Sequence, residues 1–238
     1  MKQIKTAATI LLLLSLVFSC SKDNNDSNNP PSGITAQPAN DNKSGGVYKG
    51  TITGSSGSFY INLQDGDNKI YTVFDGQKDT LSTTTVITSG AAISQALFTG
   101  HTGMSLVFSV SADGNNPVVN SFTIPGHPFA EAFMFKEKSN QQVMVFEGRF
   151  TKTAGPANCE SGMINALLIG NTLYGYFKED GGQHLSGHFT STVSNNQFSF
   201  TAVSATGNCT INSSKSQITG TASDPSGCAS TVSCTRTL

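Results

Sequence analysis

Cys159, Cys209, Cys228 and Cys234 are the residues of this chain whose types and number point most directly to chemistry. In an oxidising compartment four thiols pair into two disulfides, with three connectivities open. The favoured set is Cys228–Cys234 as a local staple and Cys159–Cys209 as the long link. Zinc is the other use of four thiolates, but no two of them have the two-to-four-residue spacing of a structural zinc site. His184, Ser186 and His188 share the polar face of one expected strand, opposite Leu185, Gly187 and Phe189. Residues four apart on a strand are ~13 Å apart, at ~3.3 Å per residue. The two imidazoles therefore cannot hold one ion without partners such as Glu179 or His101. Ser186 lacks the strained strand-to-helix turn and the positioned base of an activated nucleophile. Asp65-Gly66-Asp67-Asn68 begins like a calcium loop but lacks the further acids and the closing Glu, so a hairpin turn explains it. Glu131, Glu137 and Glu147 show no spacing that singles out a catalytic carboxylate pair. His127, between Gly126 and Pro128, is expected to pack within a rigid loop. No catalytic residue, metal site or cofactor is predicted.

The elements that would carry these residues are strands. Phe59, Ile61 and Leu63 alternate with Ser58, Tyr60 and Asn62, and the Asp65–Asn68 turn leads into Ile70–Phe74 and then Asp75-Gly76. Met104, Leu106, Phe108 and Val110 alternate with polar or small neighbours. Phe129 to Phe135, Val143 to Phe150, Met163 to Ile169, Leu173 to Phe177 and His184 to Thr190 continue the series, with Gly- and Asn-rich turns between them. This is hairpin after hairpin with period-two patterning. The one expected helix is a turn or two near Gly90 to Leu97. The fold class is all-β, an antiparallel β-barrel or β-sandwich.

A small unit recurs as Tyr48-Lys49-Gly50-Thr51-Ile52, Phe146-Glu147-Gly148-Arg149-Phe150 and Leu185-Ser186-Gly187-His188-Phe189, with a weaker copy at Ile218-Thr219-Gly220-Thr221-Ala222. On a strand the two apolar residues and the glycine share a face, and the glycine lets a large side chain or a second backbone approach. The first two copies open stretches that look alike about 100 residues apart. This suggests two similar halves within residues 47–238, either separate domains divided near residue 140 or parts of one barrel or sandwich, with one compact unit favoured.

Ahead of that region lies a different kind of sequence. Lys2 and Lys5 precede an apolar run from Ala7 to Phe18 that is too short to span a bilayer, and Leu16-Val17-Phe18-Ser19-Cys20 follows. This close resembles the lipobox of bacterial lipoproteins. The resemblance implies removal of residues 1–19 and a diacylglyceryl anchor on Cys20, whose two chains hold a protein stably at a membrane. Ser21-Lys22-Asp23-Asn24-Asn25-Asp26 resembles the short charged tract of Bacteroidota lipoproteins exported to the cell surface. An outer-membrane location is expected, with the cell surface favoured over the periplasmic face. Asp79-Thr80-Leu81 resembles the acceptor at which such bacteria O-glycosylate exported proteins, which makes Thr80 a candidate. Residues 20–46, rich in Asn, Pro and Gly, read as a flexible lipid-anchored tether.

Composition narrows the function. Only 12 % of residues are charged, and removal of Lys2 and Lys5 leaves 12 basic residues against 15 acids. Such a balance excludes a polybasic nucleic-acid footprint. The chain has no Trp, which weighs against aromatic glycan platforms. The expected function is a non-catalytic binding or adhesion module with a glycan or protein ligand. The alternatives are a hydrolase of glycans or peptides and a structural partner of an outer-membrane assembly. A barrel with an open, apolar interior would instead favour carriage of a lipid or small ligand.

Overall fold

The structure, a computed structural model, describes residues 34–54, 56–182 and 186–238. The expected signal segment, Cys20, the first part of the expected tether and His184 lie outside them. Sixteen strands follow one another. The first eight are β1 (Val47–Thr53), β2 (Gly57–Asn62), β3 (Lys69–Phe74), β4 (Gln77–Ser82), β5 (Ile93–Thr99), β6 (Ser105–Val110), β7 (Val118–Thr123) and β8 (Glu131–Glu137). The second eight are β9 (Val143–Ala154), β10 (Gly162–Ile169), β11 (Thr172–Glu179), β12 (Gly187–Thr192), β13 (Gln197–Ala202), β14 (Ala205–Ile211), β15 (Gln217–Ser223) and β16 (Ala229–Arg236). The region expected to be helical is instead β5, and the sole helix among the described residues is the 3-10 turn Pro38–Asn40. No helix among them is long and apolar enough to cross a membrane.

In each set of eight the strands pair antiparallel with their neighbours in sequence, except β7 with β8 and β12 with β13, and the last strand returns to pair with the first, β8 on β1 and β16 on β9. The result is two nearly closed barrels, divided at the 138–142 turn. The junction after the fourth strand is weak in both. A single pair, Ser82↔Thr99, joins β4 to β5, and no ladder joins β12 to β13. An eight-stranded barrel has an interior just wide enough to be filled by side chains or to hold one small ligand.

Alternation decides which residues fill these interiors. Tyr48, Ile52, Phe59, Ile61, Phe98, Leu106 and Phe108 pack inside the first barrel, with Tyr48 edge-on to Phe108 at 5.1 Å. Phe146, Leu168, Leu173, Phe189, Phe200 and Ile218 fill the second. The recurrent glycines do what their spacing suggests: the Phe59 ring lies where a Cβ on Gly50 would sit, and an added Cβ there would clash.

Every residue of β1 is buried, including Lys49, Thr51 and Thr53 on its outer face, because the second barrel packs there. Phe133 of β8 stacks on Tyr176 of β11 and Phe135 packs at a tilt on Tyr174, with ring centroids 3.8 and 4.5 Å apart, beside Val143, Val145 and Leu167. Asn165 Nδ2 donates to the Ile52 carbonyl at 2.7 Å. Lys49 Nζ meets Glu137 Oε2 at 2.6 Å with both side chains buried, and Glu137 also accepts the Val143 amide at 3.0 Å.

The end of the expected tether is part of the fold. Residues 34–46 cross the lower end of the first barrel, where the Ser44 amide donates to the Ala112 carbonyl and Tyr48 Oη donates to the Ser44 carbonyl. Lys136 Nζ donates to the Asn40 and Asp41 carbonyls at 2.8 and 3.0 Å, and the Asp41 carboxylate accepts the Ser139 amide and hydroxyl. Backbone carbonyls and short polar side chains hold this strap. Its composition, poor in apolar residues, therefore concealed it.

Candidate functional site: the mouth of the second barrel

At the upper end of the second barrel, loops 155–161, 203–204 and 224–228 and residues 180–182 stand around an opening. The inward positions nearest this end are small: Ala202, Ala205, Ala222 and Ser230. At the corresponding end of the first barrel, Phe74, Met104, Ile124 and Met134 are buried in the core. The size difference leaves a cavity of about 270 Å³ in the second barrel. That volume is close to the lower limit of small-molecule pockets, ~300–1,000 Å³.

The floor is apolar: Phe150, Ile164, Phe177, Phe189, Phe200 and Val232. Phe189 stacks on Phe200 at 4.2 Å, and its ring lies over Gly175, the residue whose missing Cβ lets it approach. Phe150 meets Phe177 edge-on at 6.2 Å. One wall is the disulfide between Cys159 and Cys228, which ties the loop after β9 to the loop before β16. The rim carries Glu160, Glu179 and Asp224. Glu160 Oε2 accepts the Gly181 amide at 2.9 Å. Asp224 Oδ1 accepts the Ser226 hydroxyl and the Ser226 and Cys228 amides. The Ser226 hydroxyl above all, joined against desolvation by the Cys228, Ser226 and Gly227 amides, holds the Asp224 carboxyl below its ordinary pKa. On the same rim Val203 is 81 % exposed at φ +55°, a conformation that is a genuine outlier for a β-branched residue.

The disulfide corrects the expected pairing. Cys159 bonds to Cys228, while Cys209 and Cys234 are buried free thiols. Cys228 and Cys234 are the start and the interior of one strand region, running away from each other, so the local staple has no geometry to form. Cys209 and Cys234 sit inside the barrel on β14 and β16, with β15 between them. Burial pushes their thiols up, to about 11 for Cys209 and about 12 for Cys234, so neither is poised as a nucleophile.

The other sequence-derived candidates do not converge. Thr80, the candidate acceptor for a sugar, is buried in β4. His188 is exposed on β12, and Ser186 Oγ accepts the Glu179 amide at 2.9 Å. His127 lies edge-on to Phe74 at 4.8 Å, as loop packing requires. The His101 side chain is exposed, while its amide donates to Asp79. Glu137 is paired with Lys49, and Glu147 accepts the Ser56 hydroxyl at 2.6 Å. Asp67 accepts Asn62 Nδ2 and Tyr71 Oη within its turn. Among the described residues no three His, Cys, Asp or Glu gather as a metal cage. The phenylalanines of the pocket floor were visible as inward strand positions. What escaped sequence reasoning was that four small residues on different strands would leave space above them. The chain matches no protein-family model and no curated protein.

Proposed function

We propose that this chain is a lipid-anchored envelope protein whose second barrel is a non-catalytic binding module for a small, largely apolar ligand. The observation that carries the reading is the open cavity of about 270 Å³, floored by phenylalanines, beside a first barrel whose interior is filled. A pocket with an apolar floor and a few polar groups at its rim is the usual form of a small-ligand site. The sorting motif ending at Cys20 supports the anchor, with the outer membrane as the location. In this reading the first barrel and its strap are the support that holds the second barrel at the membrane.

The test is binding of N-phenyl-1-naphthylamine, a neutral apolar dye that brightens in apolar pockets. The absence of Trp keeps the background low. The expected result is saturable brightening that Ala222→Phe abolishes, because the new ring fills the cavity. Ala205→Leu, a smaller intrusion, is expected to weaken binding, and thermal unfolding of both variants separates filling from misfolding. Unchanged dye binding in two folded variants would remove the pocket from consideration.

A further inference from the structure

Among the described residues lining the cavity the charge has one sign: three carboxylates, Glu160, Glu179 and Asp224, and no Lys, Arg or His. Bases close in sequence to the lining residues point elsewhere: Arg149 pairs with Asp180, Lys152 Nζ donates to the Pro156 carbonyl at 2.6 Å, and Lys178 Nζ donates to the Gly54 carbonyl at 3.4 Å. Asp224 spends one oxygen on its own turn, and Glu160 gives one to the Gly181 amide. The Glu179 side chain has no hydrogen-bond or ion-pair partner among the described residues. Below these acids lie four phenylalanines, whose ring faces attract cations and repel anions. A cleft lined by one sign of charge over low-dielectric walls concentrates the opposite charge.

We infer that the pocket takes an organic cation: an amine or quaternary ammonium group held at the acidic rim, with an apolar body on the phenylalanine floor. This inference rests on the pocket reading and adds the ligand's charge. An anionic lipid or fatty acid would place its head among three carboxylates, which the geometry disfavours.

The experiment uses the full chain and three ligands with the same tail, below their micellar concentrations: decyltrimethylammonium, decanol and decyl sulfate. Each is titrated against the bound neutral dye and, separately, by calorimetry without dye. An exposed charge pair is worth about 1.5- to 5-fold in affinity, so two or three acids give the cation an advantage of about tenfold over the sulfate at low salt. That advantage shrinks as salt is added. In Glu160→Gln/Glu179→Gln the cation-to-sulfate ratio is expected to fall to about twofold or less. The ratio is the readout, so a general loss of affinity does not imitate the effect. Equal displacement by cation and sulfate, or a preference that survives in the double variant, overturns the charge inference while leaving the pocket in place. Failure of dye and all three ligands to bind overturns the pocket reading too. Binding of the cation without the dye supports both.

Discussion

Removing the Cys159–Cys228 bridge is expected to weaken the second barrel and open its pocket together. The bridge spans 69 residues, from the end of β9 to the start of β16, and so encloses six strands of the barrel. Constraining the unfolded chain over a loop of that length corresponds to ~4.4 kcal/mol at 25 °C in the chain-entropy treatment. A six-residue staple from Cys228 to Cys234 would correspond to only ~2.2 kcal/mol. In the folded state the bridge has a second role. Loop 155–161 carries Asn158 and Glu160 against the mouth, and Gly155 packs tightly on Cys159 and Cys228. The perturbation is Cys159→Ser/Cys228→Ser. Its assays are urea unfolding followed by far-UV circular dichroism, and dye binding at urea concentrations where the barrel stays folded. A loss of about 4 kcal/mol with weakened dye binding is expected. The Cys209→Ala variant is the control, since it removes only a buried thiol. A loss below ~1 kcal/mol, or a Cys209→Ala variant as damaged as the double variant, would refute the reasoning.

The two free thiols should be silent to alkylation at pH 8 in the native protein, because burial raises both pKa values and denies access, and both should react in denaturant. A count by intact mass also reads Cys20, since a third reactive thiol means that the anchor is not attached. Lys49→Met leaves Glu137 charged and buried between the barrels, and is expected to cost ~3–5 kcal/mol in urea unfolding. Adding Glu137→Gln should recover at least half of that loss, and a single variant that costs nothing would contradict the buried pair. Asp79, inside the first barrel, holds the turn after β5 through the Thr102 hydroxyl and the Thr102, His101 and Thr80 amides. Burial raises its pKa, but these hydrogen bonds together outweigh burial and the net shift is downward. The charged form is therefore the stabilising one: its contribution is complete above the ordinary carboxylate value of ~3.9 and is lost as pH falls through the lowered folded-state value. Asp79→Asn should cost ~1.5–3 kcal/mol at neutral pH and flatten the fall of melting temperature below pH 4, which a pH series of thermal melts measures.

Much of the fold was legible in the sequence because a barrel strand announces itself by period two. Phe198 and Phe200 alternate with Gln197, Ser199 and Thr201, and they do point inward. Tyr48-x-Gly50 and Phe146-x-Gly148 open β1 and β9, the first strand of each barrel, so the spacing of about 100 residues measured the length of one meander. The β5 region misled because Gly90-Ala91-Ala92 and the residues after it lack clean alternation. Residue Gln95 takes φ +50° and the ladder with β6 is irregular.

The sequence by itself determined most of the strands, the face of each that turns inward and the glycines over which aromatic rings pass. These depend on residue type and on neighbours a few positions away. The tertiary structure alone decided the rest. Period two says which face is buried but not what covers the other one, so the burial of Lys49, Thr51 and Thr53 waits on the packing of two barrels. A disulfide depends on which loops meet at a barrel end, and Cys159 meets Cys228 only once β16 has closed on β9. The pocket exists because Ala202, Ala205, Ala222 and Ser230, small residues dispersed along the chain, arrive at the same end of the same barrel. A cavity is a property of that coincidence of volumes, and no local pattern encodes it.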